Sequence, residues 1–202
     1  MYKPKIKICG LSRPQDIELV NILSPDYIGF VFANSRRKVV PAQAQSLSNA
    51  LSGNIIPVGV FVDEPIKNIL SLVQNKIIAI IQLHGAETES YIKNLKQETN
   101  APIIKAISVQ KAGDVQKWAN TTADYLLLDH KGGGTGKTFD WGLIGETTKP
   151  FFLAGGLTHE NVSDAINKTT PYAVDVSSSV EQNGVKSLKK IQQFIRVIRD
   201  EI

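Results

Sequence analysis

A single cysteine, Cys9, stands in 202 residues, which excludes an internal disulfide framework and any cysteine-rich metal site. Long apolar runs are also missing. The longest purely aliphatic stretch, Ile77 to Ile81, is far too short to span a bilayer. The start, Met1-Tyr2-Lys3-Pro4, has no apolar signal region and no cleavage site, so a reducing, cytoplasmic setting is expected. Basic clusters are scarce: only Arg36-Arg37-Lys38 and Lys189-Lys190 group at all, although the net charge is +4. Without a concentrated basic face or interleaved stacking aromatics, nucleic-acid binding is not expected. A mild positive balance suits a small anionic substrate instead. Low-complexity tracts and linkers are absent. With 42% hydrophobic and 21% charged residues, the composition is that of a folded chain, read as one domain over residues 1–202.

What is present is an alternation. Strand-like runs occur at Lys5–Cys9, Tyr27–Phe32, Ile56–Val62, Ile77–Leu83, Ile103–Ile107, Asp124–Leu128, Phe151–Leu153 and Ala173–Val176. Several are continuously apolar, as parallel strands buried on both faces must be. Between them lie amphipathic segments: Ile66, Ile69, Leu70 and Val73 share one helical face, as do Leu188, Ile191, Ile195 and Ile198. Pro14, Pro41 and Pro65 sit where first helical turns should begin. Eight strands, each followed by a helix, with right-handed crossovers, give either an open doubly wound sheet or a closed (β/α)8 barrel. Polar and glycine residues follow nearly every strand: Cys9-Gly10, Asn34-Ser35-Arg36, Asp63, His84-Gly85, Asp129, Gly155-Gly156 and Ser177-Ser178. In a barrel all of these converge on the C-terminal rim, where barrel enzymes do their chemistry. The barrel is therefore the expected fold.

The run Gly132-Gly133-Gly134-Thr135-Gly136-Lys137-Thr138 invites a nucleotide-loop reading, but Lys131 stands where that motif needs its first glycine. It reads better as a glycine-rich loop leading out of the strand that ends near Asp129. An anion site is better placed after the last two strands. Gly155 and Gly156 follow the seventh, and Ser178 and Ser179 follow the eighth. Small residues let backbone N–H groups approach a phosphate, and barrels often bind one between these two loops. The alternative is a pair of ordinary tight turns.

Cys9 ends the first strand beside a glycine. A lone cysteine is commonly an inert buried residue, but on this rim a thiol can act as base if a dipole or cation lowers its pKa. Asp129 either caps the next turn or, set across the barrel mouth from the thiol, completes an acid–base pair. Arg37 has the planar fork to clamp a carboxylate, against the alternative of an exposed loop charge. His84 and Asp175, at the ends of the fourth and eighth strands, are substrate-binding candidates. A strand-end histidine can also simply bond to backbone.

These residues, taken in order, carry a resemblance. Lys7-Ile8-Cys9-Gly10-Leu11, Gly29-Phe30-Val31-Phe32 with Ser35-Arg36-Arg37, and Val58-Gly59-Val60-Phe61-Val62 resemble the phosphoribosylanthranilate isomerase family. So do Ile81-Gln82-Leu83-His84-Gly85, Leu127-Leu128-Asp129, Gly133-Gly134-Thr135-Gly136 and Phe139-Asp140-Trp141. Leu153-Ala154-Gly155-Gly156-Leu157 and Val174-Asp175-Val176-Ser177-Ser178 complete the match across the chain.

The resemblance implies an aldose–ketose isomerase of tryptophan biosynthesis. Its reaction is the Amadori rearrangement of N-(5-phosphoribosyl)anthranilate to 1-(2-carboxyphenylamino)-1-deoxyribulose 5-phosphate. It implies Asp129 as general acid, Cys9 as general base and Arg37 as the holder of the anthranilate carboxylate. No cofactor is implied, because the iminium intermediate is itself the electron sink. Two positions depart from the family: Ser179 replaces a usual glycine, and Ser187 stands where an acid is common. A related histidine-pathway isomerase places an aspartate where Cys9 stands, so the thiol argues against it. A sugar-phosphate epimerase and a catalytically silent phosphosugar-binding barrel are the other readings.

Overall fold

The structure, a computed structural model, describes residues 3–130 and 138–200. Eight parallel strands close into a barrel in sequence order: β1 Lys5–Cys9, β2 Tyr27–Val31, β3 Ile56–Phe61, β4 Ile80–Leu83, β5 Ile103–Ser108, β6 Tyr125–Asp129, β7 Phe151–Leu153 and β8 Ala173–Val176. Closure is made by β1 against β8, with Lys5 opposite Ala173 and Lys7 opposite Asp175. Among the described residues six α-helices cover the outside: α1 Pro14–Leu23, α2 Pro41–Asn49, α3 Ile66–Gln74, α4 Glu89–Glu98, α5 Val162–Thr169 and α6 Leu188–Asp200. A small antiparallel pair, β9 Glu181–Gln182 and β10 Val185–Lys186, stands between β8 and α6.

The expected helix after every strand is corrected at two places. Behind β5 there is only the single 3-10 turn Gln116–Trp118, and among the described residues behind β6 only Trp141–Leu143. Both segments are broken up by local side-chain bonds. Asp114 accepts from the amides of Gln110 and Lys111, and Asp140 from that of Gly142, satisfying the backbone without a helix. Among the described residues, six α-helices rather than eight accompany the eight strands. Other boundaries move less. Ile77–Ala79 belongs to the exit from α3, where Ile77 donates to the Leu72 carbonyl, so β4 starts only at Ile80. Pro14 and Pro41 occupy first helical turns, whereas Pro65 precedes α3 as its cap. Leu188 is 42% exposed, and Phe194 takes the buried place on α6 expected for it.

Strand alternation sorts the side chains into two cores. One set faces the helices: Ile6, Ile8, Ile28, Phe30, Ile81, Leu83, Leu126, Leu128, Leu153 and Val174. The other fills the barrel: Tyr27, Val58, Ile80, Ile104, Ala106, Leu127, Phe152, Ala154 and Ala173. The N-terminal end of the barrel is plugged by aromatic rings. Phe152 lies 5.5 Å from Tyr27, 5.6 Å from Tyr125 and 5.7 Å from Tyr172, and the Tyr27 and Tyr172 hydroxyls are 2.9 Å apart. Sealed below by these rings, the interior opens only toward the ends of the strands.

Because Phe152 is fully buried against three rings, its removal leaves a cavity that the stiff sheet cannot close. Phe152→Ala is expected to destabilise the fold by about 3–5 kcal/mol, read from urea denaturation. A change below about 1 kcal/mol would show that the plug is dispensable.

Candidate active site

Above the aromatic plug the barrel interior becomes polar. On β1 the alternation that turns Ile6 and Ile8 outward turns Lys7 and Cys9 inward. Lys7 is fully buried, and its Nζ lies 3.0 Å from Asp175 Oδ2 on the neighbouring strand. The other oxygen, Asp175 Oδ1, is buried with no partner among the described residues. Cys9 stands directly above Lys7. Gly29 makes room for it, since a Cβ on Gly29 would sit 2.6 Å from Cys9 Sγ. Burial pushes the Cys9 thiol above its ordinary range, against the pull of the Lys7 ammonium. Burial likewise opposes the charge on Lys7, but the Asp175 carboxylate and Cys9 outweigh it and raise the pKa of Lys7. The lysine therefore stays a cation beneath the thiol.

Asp129 ends β6 on the same inner face. Its Oδ1 accepts from the His130 amide at 2.7 Å, and its Oδ2 lies 3.7 Å from His84 Nε2. Burial raises its pKa to about 6, the His130 bond pulling the other way. That is the environment of a carboxyl able to hold a proton near neutrality. His84 is pushed down to about 4, first by burial and then by the charges of Lys7 and Lys105. It is therefore neutral, and its contact with Asp129 is not an ion pair. Gln82, one turn of the pleat below, sets its tautomer. The side-chain Nε2 of Gln82 can only donate, so at 2.9 Å it makes His84 Nδ1 the acceptor and leaves the ring proton on Nε2, facing Asp129. The alternative of a backbone-bonding His84 side chain is thereby replaced by a side-chain pair.

The two small-residue loops after the last strands lie side by side because β7 pairs with β8. Gly155 and Gly156 have φ of +82° and +63°, conformations that favour glycine. A Cβ on Gly155 would sit 2.9 Å from both Asp129 Oδ1 and the His130 nitrogen, so bulk there would strike the acid itself. Asn161 locks this loop, accepting from the Thr158 amide at 2.8 Å and donating to the Gly156 carbonyl at 3.0 Å. After β8, Ser178 and Ser179 form the single 3-10 turn Ser178–Val180, whose first amides have no carbonyl behind them to bond within the turn. Ser177 fastens the turn to β1, donating to the Cys9 carbonyl at 2.9 Å. Ser187 lies just before α6, so that departure concerns a helix start.

Arg37 is not a free loop charge. Its stem crosses Gly10, and its Nε and Nη2 donate to Glu181 at 2.6 and 3.0 Å. The glycine-rich loop of residues 132–136 lies outside the described residues. Among the described residues no group of three or more metal-ligating side chains comes together, and no helix is long and apolar enough to cross a membrane.

Four participants were missed as site residues: Lys7, Gln82, Glu181 and Lys186. The first two carried a readable signal, since each is a polar residue at an inward position of an otherwise apolar strand. Glu181 and Lys186 had none, because their pairing with the Arg37 loop is made only by the closed fold.

A closed barrel with an inward thiol, a near-neutral carboxyl and two small-residue loops after the last strands defines a sugar-phosphate (β/α)8-barrel type of acid–base enzyme. The family model for N-(5'-phosphoribosyl)anthranilate isomerase matches residues 6–197. The N-(5'-phosphoribosyl)anthranilate isomerase of Endomicrobium trichonymphae is 48% identical over 200 residues, covering 97% of this chain and 98% of the relative. Phosphoribosyl anthranilate isomerase from Thermotoga maritima superposes with a TM-score of 0.86 at 35% identity, covering 96% of this chain and 97% of that one. A structure of such an isomerase with reduced 1-(o-carboxyphenylamino)-1-deoxyribulose 5-phosphate gives 0.83 at 34% identity, over 96% and 97% of the two chains. The chain belongs to the phosphoribosylanthranilate isomerase family.

The His84 geometry makes a direct prediction. Between pH 5.5 and 8, the imidazole should stay neutral with its proton on Nε2, and its two 15N shifts should not titrate. A ring that titrates near the ordinary histidine value of about 6.5 would contradict the buried, cation-flanked environment.

Proposed function

We propose that this chain catalyses the Amadori rearrangement of N-(5-phosphoribosyl)anthranilate, with Asp129 as acid and Cys9 as base. Asp129 gives its proton to the ribose ring oxygen as the C1–O bond breaks, and the anthranilate nitrogen supplies the electron pair of the resulting iminium. The Cys9 thiolate then takes the proton from C2, and the electrons of that C–H bond form the enol-amine. Loss of the enol hydroxyl proton and protonation at C1 give the 2-ketone. Substrate and product are isomers, so no oxidant or cofactor enters. The observation that carries this reading is the placement of a buried carboxyl with a pKa near 6 and a buried thiol on one barrel face. Backbone amides of Gly155, Gly156, Ser178 and Ser179 would hold the phosphate, Arg37 the carboxylate, and His84 and Asp175 the sugar hydroxyls. The unpartnered Asp175 Oδ1 is an acceptor of the kind a hydroxyl needs. We read the enzyme as a single-domain cytoplasmic one that takes a small anionic sugar phosphate and no nucleic acid.

The two pKa directions give the pH dependence its sign. The reactive form carries one proton, on Asp129, with Cys9 ionised. Below about pH 6 Asp129 and Cys9 are both protonated, and above the raised thiol pKa neither is. The singly protonated enzyme dominates between these limits, and the reactive arrangement is a fixed minor fraction of it. Thus kcat/KM should rise through about pH 6, stay level, and fall only on the alkaline side of the ordinary thiol range. Asp129→Asn should lose the alkaline limb and leave a rate that rises only through the raised thiol pKa. Cys9→Ala should lose the acid limb and leave a rate that falls above about pH 6. Each should lower turnover by about 10²–10⁴. Near-normal turnover by either folded variant would remove that residue from the chemistry.

At the phosphate loops, bulk should be harmful and the Ser179 hydroxyl irrelevant. Gly156→Val forces a branched residue to φ near +63° and should weaken both substrate binding and competition by inorganic phosphate. Ser179→Gly keeps the amide and should change neither by more than about twofold. Undiminished phosphate competition in Gly156→Val would place the anion elsewhere.

A further inference from the structure

Glu181 begins β9, directly after the 3-10 turn Ser178–Val180. Its carboxylate is buried and takes four bonds. Oε1 accepts from Arg37 Nε at 2.6 Å and Lys186 Nζ at 2.9 Å, and Oε2 from Arg36 Nη2 at 2.6 Å and Arg37 Nη2 at 3.0 Å. Two of these four come from Arg37 as a fork. A guanidinium offers two such edges, one through Nε and Nη2 and one through Nη1 and Nη2. Glu181 occupies the first. Among the described residues nothing is bonded to Nη1, so the second edge is the one left for a ligand.

We propose that Glu181 is a positioning residue. It fixes the Arg37 fork so that its outer edge receives the substrate carboxylate, and it ties that clamp to the loop that holds the phosphate. This rests on the reading of Arg37 given above. Three features support it. The side chain of Arg37 is 16% exposed and that of Arg36 60%, so Arg37 is the inner member and Arg36 an outer brace. Three cations meet one carboxylate, leaving a local excess of positive charge that favours a second carboxylate. Finally, the chain from Ser178 to Glu181 is one short turn with no slack, so the sites for the two anionic groups share a single support. A substrate carrying both anions at the matching separation satisfies both sites at once, whereas one lacking the carboxylate meets only the phosphate loop.

The test compares Glu181→Gln, Arg37→Ala and the double variant, each with freshly generated phosphoribosylanthranilate and with ribulose 5-phosphate as a competitor that lacks the carboxylate. Glu181→Gln should raise KM by about tenfold, the loss expected for one charge-assisted bond, while kcat changes by less than about threefold. The inhibition constant of ribulose 5-phosphate should stay unchanged. On an Arg37→Ala background, Glu181→Gln should add nothing further. A parallel loss of ribulose 5-phosphate binding would show that Glu181 merely supports the loop and would overturn the proposal. So would a KM effect that persists without Arg37. If Arg37→Ala itself leaves KM unchanged, the carboxylate clamp fails, and this proposal with it. If Arg37→Ala is damaging and Glu181→Gln silent, only the proposal falls. Should circular dichroism show that Glu181→Gln does not fold, Glu181→Asp keeps the charge but is one methylene too short to reach both Arg37 nitrogens, and the same measurements apply to it.

Discussion

Closing the sheet between β1 and β8 sets Lys7 beside Asp175 inside the barrel, and much of the site follows from that one seam. The register that places Lys7 opposite Asp175 also places Ile8 opposite Val176, and it carries Cys9 to the rim. A lysine with no exposure is costly to bury unless it is paired, so the seam is stable in this register and unfavourable in a slipped one. A slip of one residue would turn Ile6 and Ile8 into the polar interior and leave Lys7 among the helices. The same seam is fastened at its upper end by the Ser177 hydroxyl, which donates to the Cys9 carbonyl. The thiol, the buried cation and the start of the eighth-strand loop are consequently one rigid unit.

From floor to rim the interior changes from aromatic to polar, and each polar residue is held by another. Gln82 orients His84, and the Asp129 carboxyl takes the His130 amide bond. Outside the barrel, Lys105 is on the helix-facing side of β5, where its ammonium bonds Glu87 at 2.7 Å and the Gly85 carbonyl at 2.7 Å. Glu87 in turn accepts from the amides of Asp63 and Gly85. That buried pair braces the loops after β3 and β4, and so the backbone that carries His84. Rigidity of this kind matters because misplacement of an acid or base by about 1 Å can lose about a hundredfold in rate.

The sequence was legible where one residue implies its surroundings. Continuous apolar strands imply a two-sided core, and small or polar residues at strand ends imply a common rim. Cys9, Asp129, Gly155 and Gly156 were singled out in that way, and the structure sets them all at the C-terminal ends of β1, β6 and β7. Helix content was overread because amphipathic spacing says nothing of Asp114 and Asp140, whose side chains satisfy backbone amides and make helices unnecessary there. Lys7 and Gln82 were legible in principle, being polar at inward positions of buried strands. The union of Arg37 with Glu181 was not, because 144 residues separate them and only barrel closure brings β2 and β8 within reach of β1.

With Asp129 as the proposed acid and Cys9 as the proposed base, the commonest protonation state is not the reactive one. In the free enzyme the stronger acid of the two is the carboxyl and the weaker the thiol, so near neutrality the single proton rests mostly on Cys9. Moving it to Asp129 creates a thiolate directly above the Lys7 ammonium, and that cation limits the free energy of the exchange. Without Lys7 the thiolate would keep only the weaker pull of Lys186 in a buried site, where desolvation alone can shift a pKa by several units. Asp175 opposes this help, since its own charge raises the thiol. A hydroxyl donated to Asp175 Oδ1 would drain part of that negative charge and return the full field of Lys7 to the sulfur. On the proposed roles, a hydroxyl bound at Asp175 and ionisation of Cys9 are coupled through the buried Lys7, so the thiolate is most populated, though a weaker base, when the sugar is in place.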